Sequence, residues 1–131
     1  MKVYMTKEFA RLAAKKRIGE PGLCEAVDRA ERGLIDASIG RLLIKQRVAR
    51  KNEGRSGGFR VIVFHEAGSR AVLLHVFAKS EQDNLTPNEE AAYRDFAKVL
   101  AAVTPGQCAS LVRDGKWIEI DYEAYQKNVS K

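Results

Sequence analysis

Residues 41–60, RLLIKQRVARKNEGRSGGFR, hold seven Lys/Arg side chains (Arg41, Lys45, Arg47, Arg50, Lys51, Arg55 and Arg60) against one acid, Glu53. This span carries +6, the formal net charge of the whole 131-residue chain, because the other 111 residues hold 16 basic and 16 acidic side chains. In the strand read over 41–49, Leu43, Lys45 and Arg47 point one way and Ile44, Gln46 and Val48 the other. Arg60 lies on the face of Ile62 and Phe64 in a second strand over 59–66, and Lys79 on the face of His75 and Phe77 in a third over 71–79. If these faces coincide, four cations converge, and a phosphate is the ligand that two forked, permanently charged guanidinium groups suit. The competing reading makes Lys45 and Arg47 the solvated face of a half-buried strand.

The segment between the first two strands, RKNEGRSGG, reads as a basic Gly-rich loop. Arg50, Lys51 and Arg55 are placed to clamp nucleic-acid phosphates, and Ser56 to donate a hydrogen bond, with glycines letting the backbone come close. The alternative is a hairpin loop whose charge only aids solubility. A sequence pI near 9.5 points the same way, to a polyanionic partner that is either nucleic acid or an anionic membrane surface. No HxxH pattern, Cys/His set or D-x-D spacing is present, so neither a metal site nor a cofactor is expected. Cys24 and Cys108 are isolated and are expected to be reduced thiols.

The elements that must position these groups follow from pattern and punctuation. With 45% hydrophobic and 31% charged residues, the chain is expected to form one globular domain over 1–131. No apolar run approaches the roughly 20 residues of a membrane span, and the N-terminus lacks a signal-peptide core. KVYM reads as a short strand. Thr6 caps a helix with Phe9, Leu12 and Ala13 on its apolar face. A second helix opens at Pro21–Gly22, buries Leu23, Ala26, Val27 and Ala30, and stops at Gly33, so that the two helices are expected to pair as a hairpin. The three strands form an antiparallel meander. Thr86, Pro87 and Glu89 make a capping-box start for a further helix, and Thr104–Pro105 repeats the start signal for a shorter one ending at Gly115. KWIEIDY is a brief strand with Trp117 as a core anchor, followed by a frayed helical tail. The fold class is α+β, with the N-terminal helix pair and C-terminal helices packed on a small antiparallel sheet.

IKQRVARKNEGRSGGFRVIV, followed by HVFAKSEQDNL, resembles the RelE/HigB group of bacterial type II toxins. The resemblance rests on a K-x-R pair on one strand, a basic Gly-rich loop, S-G-G-x-R entering the next strand, and a third strand ending in F-x-K. It covers about residues 41–100, and the tail from about 104 to 131 reads as an extension of the minimal toxin. It implies a RelE-like fold and a cytoplasmic endoribonuclease that cleaves mRNA in the A site of the 70S ribosome. It also implies inhibition by a cognate antitoxin of helix-turn-helix type, through which the complex reaches operator DNA, and no membrane partner.

Metal-free cleavage of RNA needs a base for the ribose 2'-OH, an acid for the departing 5'-oxygen, and cations for the phosphorane charge. Lys45, Arg47, Arg60 and Lys79 are the catalytic set on this reading. Arg47 and Arg60 hold the phosphate. Lys45 or Lys79, its pKa depressed by neighbouring cations, serves as base, with His75 the alternative. Phe77 is read either as a stacking platform for a base or as a core residue, and His65 as an exposed turn flank. Two rival functions remain: a gyrase inhibitor of the ParE branch, which generally lacks the Lys/Arg set, and a non-catalytic nucleic-acid-binding module.

Overall fold

Side-chain alternation on the strands divides the apolar residues into two sets, and the structure buries each set against a different group of helices. The computed structural model describes residues 1–50, 54–82 and 84–129, without the side chains of residues 50 and 54–57. The element order is β1 (Lys2–Thr6), α1 (Lys7–Lys15), α2 (Glu20–Glu31), β2 (Ala37–Gly40), β3 (Leu43–Arg50), β4 (Gly54–Glu66), β5 (Arg70–Ala78), α3 (Pro87–Ala101), α4 (Pro105–Arg113), β6 (Trp117–Ile120) and α5 (Tyr122–Val129). One six-stranded sheet runs in the order β2-β3-β4-β5-β1-β6. Its pairs are antiparallel except β1 with β5, which is parallel.

On one face of the sheet, Val3, Ile44, Val48, Val61, Val63 and Leu73 pack against Phe9 and Ala13 of α1, Leu23 and Val27 of α2, and Tyr122 of α5. On the other face, Tyr4, Leu43, Ile62, Phe64 and Val72 pack against Ala97 and Leu100 of α3, Cys108 of α4 and Trp117. The α+β class thus corresponds to the sequence reading, while C-terminal α5 joins α1 and α2 on one face. The expected helix hairpin has a different setting: β1 precedes α1, and the two helices dock on the sheet, α1 over β1, β5 and β6 and α2 over β3. The sheet is also wider than the meander, because β2 adds to β3 and β1 inserts between β5 and β6.

Local signals account for the helix ends. Thr6 Oγ1 accepts from Phe9 N at 3.0 Å, and Gly33, at φ +82°, takes the left-handed turn that stops α2. Both later helices start on full capping boxes, Thr86 with Glu89 and Thr104 with Gln107. Arg70 closes the far end of α3 by donating to Leu100 O at 2.9 Å and to Val103 O, while lying over the Phe64 ring. The C-terminal segment braces the sheet: β6 pairs along β1, and Tyr122 Oη donates to Asp28 Oδ1 at 3.1 Å, tying α5 to α2.

The β4–β5 ladder carries one irregularity. Ile62 pairs with His75 but Val63 pairs with Leu73, so β5 holds one extra residue at Leu74. The bulge resets parity: Val72 and Leu74 before it and His75 and Phe77 after it all lie on the α3 face. Unbroken alternation would send His75, Phe77 and Lys79 to the α1 face.

Thr86→Ala removes the acceptor for Glu89 N, and unfolding in urea is expected to show a loss of about 1 kcal/mol with an unchanged slope.

Candidate functional site

The register of three strands assembles the site. Arg47 faces Arg60 across β3–β4, Lys45 faces Ile62, and Arg60 faces Phe77 across β4–β5. Directly opposed residues in an antiparallel pair put their Cβ atoms about 4.5–5.5 Å apart. Lys79 follows the last residue of β5, and its N–H donates to Gly58 O at 3.2 Å, continuing the ladder by one step. Lys45, Arg47, Arg60 and Lys79 line a single cleft of about 420 Å³, together with Asp36, Ala37 and Asn84. The four cations picked out by parity are therefore brought together, and the β5 bulge is what delivers Lys79.

Two cations facing each other repel by about 1 to 4 kcal/mol at 4 Å, depending on the effective dielectric, so a scaffold must hold them there. Gln46, fully buried on the opposite face of β3, supplies part of it. Its Nε2 donates to Ala26 O at 3.0 Å and Leu34 O at 3.2 Å, and its Oε1 accepts from Asp36 N at 2.7 Å. This clasp fixes the start of β2 against β3 and α2. The Asp36 carboxylate then accepts from Arg47 N at 2.7 Å and from Arg29 Nη1 at 2.8 Å. Arg29 is itself buried, pairs with Glu25 at 2.6 Å, and donates through Nη2 to Arg47 O. Both backbone polar groups of Arg47 are thus held by side chains of this network.

The charges respond accordingly. Burial alone would raise the Asp36 pKa, but the Arg47 N–H and the Arg29 guanidinium outweigh it and hold the carboxyl below its ordinary value. Burial, reinforced by the Arg47 charge and opposed by Asp36, lowers the Arg60 guanidinium. Arg60 is 7% exposed and donates from Nη1 to Phe59 O at 3.3 Å. Being an arginine it keeps its charge, which makes it a strong, desolvated phosphate donor. Lys45 Nζ donates to Asn84 Oδ1 at 2.6 Å, which aims the ammonium along the cleft wall, and Lys79 is exposed at the rim.

Other expectations are placed differently. Phe77 is 3% exposed and belongs to the α3-side core, which corrects the stacking role: no ring face is left for a base. His75 stacks on Tyr93 at 5.7 Å and does not line the cleft, and burial lowers its pKa, so the ring is mainly neutral at pH 7. His65, read as an exposed turn flank, is buried and hydrogen-bonds to Glu31 Oε2 at 2.6 Å on the α2 side. The side chains of Arg50, Arg55 and Ser56, and Lys51 as a whole, lie outside the described residues. The strands, however, run to Arg50 and from Gly54, so most of the supposed loop is hairpin. Among the described residues, no group of three or more His, Cys, Asp or Glu side chains is placed to hold a metal ion.

Asp36 and Asn84 are the cleft residues that the sequence reading missed. Asp36 follows the α2 stop as the one acid in GLIDAS, and Asn84 sits in the polar stretch after F-x-K. Only the pairing of β2 with β3, and the return of the chain before α3, bring them to the cations.

A family model described as RelE toxin of the RelE/RelB toxin-antitoxin system matches residues 1–120. No curated protein matches the chain.

The Asp36 network gives a pH signature. Because its folded pKa is lowered, its stabilisation is complete above the ordinary carboxylate value near 4 and is lost as pH falls through the folded value. Asp36→Asn is expected to lower stability at pH 7 by about 1.5–3 kcal/mol. The gap to the unmodified protein, measured by urea unfolding, narrows on acidification below about pH 4. Gln46→Leu, which strands the backbone N–H of Asp36, is expected to cost about 1–3 kcal/mol in the same assay.

Proposed function

The chain belongs to the RelE toxin family, and from that premise we propose that it is an mRNA endoribonuclease acting in the A site of the cytoplasmic ribosome. Toxins of this family are generally endoribonucleases. The observation that carries the proposal is the single cleft in which Lys45, Arg47, Arg60 and Lys79 meet around room for one phosphodiester.

Arg47 and Arg60 grip the non-bridging oxygens and take up the charge that grows as phosphorus becomes five-coordinate. Lys45 and Lys79, on opposite sides of Arg60, carry the protons. One, as the free amine, removes the proton of the ribose 2'-OH, whose oxygen attacks phosphorus. The other protonates the 5'-oxygen as its bond to phosphorus breaks. The products are a 2',3'-cyclic phosphate and a 5'-OH. Asn84 fixes the Lys45 amine for its part in this transfer.

What the cleft offers supports ribosome dependence. With Phe77 in the core, no aromatic residue is among the described residues that line the cleft, so it grips phosphate without a platform for a base. An mRNA held and splayed by the ribosome supplies the positioning that such a site needs. The same cluster of cations invites neutralisation by a cognate antitoxin, which we place here as the inhibitor, of helix-turn-helix type and binding operator DNA itself. Arg50, Lys51, Arg55 and Ser56 are assigned to ribosomal or messenger RNA phosphates.

Arg60→Ala and Arg47→Ala are expected to slow cleavage of ribosome-bound mRNA by about 10²–10³ each, with circular dichroism unchanged. Lys45→Ala and Lys79→Ala are each expected to slow the same cleavage by about 10²–10⁴. In cells expressing the chain, mapped mRNA ends are expected to be phased with codons. An SOS response with intact mRNA would instead indicate gyrase poisoning, and no growth arrest a simple binding module.

A further inference from the structure

The far side of the same strand ends carries a second basic patch. Arg60 and Lys79 line the cation cleft, and their chain neighbours Phe59, Ala78 and Ser80 line a separate cavity of about 380 Å³ with Lys15, Lys16 and Arg17. Phe59 and Ala78 pair across β4–β5 and are buried on the α1 side, so they make its floor. The Ala78–Lys79–Ser80 backbone is thus the ridge between the two cavities. Glu81 is the one acid among the described lining residues, and it is engaged: its carboxylate pairs with Lys16 and accepts from Ala78 N at 3.3 Å. Lys15 and Arg17 are exposed, and neither makes an ion pair among the described residues.

Arg17 is the informative residue. It follows the end of α1 at φ +58°, in the left-handed region that a side chain with a Cβ disfavours. Ile18 N donates to Ala13 O at 2.9 Å and Arg17 N to Ala14 O at 3.1 Å, so Arg17 takes the left-handed position of a Schellman turn. α2 and α4 end in the same way, with Leu34 N donating to Arg29 O and Lys116 N to Leu111 O, and there the left-handed residue is a glycine, Gly33 or Gly115. The helix dipole favours a cation in the last turn, which accounts for Lys15 without asking for one at position 17. A cation kept at a backbone cost, beside a cavity and two other cations, marks a place where its charge is used. We propose that Lys15 and Arg17 hold a backbone phosphate of the RNA strand whose scissile bond lies in the cation cleft, where that strand crosses the Lys79–Ser80 ridge. Naming the strand rests on the nuclease reading; the phosphate chemistry does not. Arg17 offers the planar fork that suits phosphate, Lys15 a point charge, and the exposed Ser80 hydroxyl a further donor. With Phe59 only 5% exposed, the floor offers a base no ring face, so this subsite grips backbone and adds affinity rather than sequence preference.

The test is fluorescence anisotropy with labelled single-stranded RNAs of about four and about ten nucleotides, 2'-O-methylated so that they stay intact, over a range of salt. Arg17→Gly and Lys15→Gln are each expected to weaken binding of the longer strand at least about fivefold and to lower its salt slope by about 0.7. The shorter strand, which fills only the cation cleft, is expected to bind as before. Arg17→Gly also relieves the left-handed backbone, so its unfolding midpoint in urea is expected to equal or exceed that of the unmodified protein. Affinity lost without stability lost separates a ligand role from a structural one. Lys98→Gln, which removes an exposed cation of α3, controls for net charge. Unchanged affinity for the longer strand in either patch variant overturns the proposal, as does an equal loss in Lys98→Gln. A loss seen only with ribosomes that carry no mRNA would give the patch to ribosomal RNA and overturn the substrate subsite. A chain that loses affinity in both variants yet cuts no mRNA keeps the patch and sinks the nuclease reading. One that cuts mRNA but binds the longer strand equally in every variant does the reverse.

Discussion

Arg47 and Arg60 stand opposite each other on adjacent strands, and the rest of the molecule can be read as the means of keeping them there. Like charges in directly opposed positions are unfavourable, and one strand slipped by a single residue would send its cation to the other face. The apolar residues forbid that slip. Ile44 and Val48 on β3 and Val61 and Val63 on β4 are buried against α1 and α2, while Leu43, Ile62 and Phe64 are buried against α3 and α4. Sliding β3 against β4 would expose both sets at once. The hydrophobic core thus fixes electrostatic geometry, and the repulsion it overcomes becomes binding free energy when an anion arrives between the two guanidinium groups.

Polar groups finish what the core begins. Gln46 points away from the cleft, yet it sets the position of Asp36, and Asp36 holds the Arg47 backbone on the cleft side. The buried Arg29 completes the loop by pairing with the same carboxylate and with the Arg47 carbonyl. Among the described residues that line the cleft, Asp36 is the acid beside the four cations, and it lowers the cost of bringing them together. Asp36 Oδ2 accepts from both Arg29 and the Arg47 backbone N–H, so this carboxylate is tied to the scaffold under the cleft.

Much of this was legible in the chain. Parity placed Lys45 with Arg47 and Arg60 with Ile62, and the helix starts at Thr6, Thr86 and Thr104 were written in capping residues. These signals are local, depending on neighbours one to four positions away. The features that were not legible depend on distant partners. β1 lies between β5 and β6, a pairing that no spacing reveals. β2, in the small residues ASIG, lacks the apolar alternation that marks a strand. The Leu74 bulge has no signature within AVLLHVFAK. Counting alternate residues back from Lys79 reaches His75 correctly and then fails at Leu74, so the shared face of Lys79 and Arg60 is a tertiary fact. His65 looked exposed because it adjoins a turn, but Glu31, 34 residues earlier, buries it.

The proposed attack of a 2'-OH on one phosphodiester held in the cleft makes a demand that can be measured directly. Ribosomes are programmed with an mRNA carrying a single 2'-deoxynucleotide on the 5' side of the cut. Cleavage at that bond is expected to vanish while binding of the protein to the ribosome is retained, and the all-ribose control ends in a 2',3'-cyclic phosphate. Continued cutting at the deoxy position, or a 3'-OH terminus in the control, would contradict it.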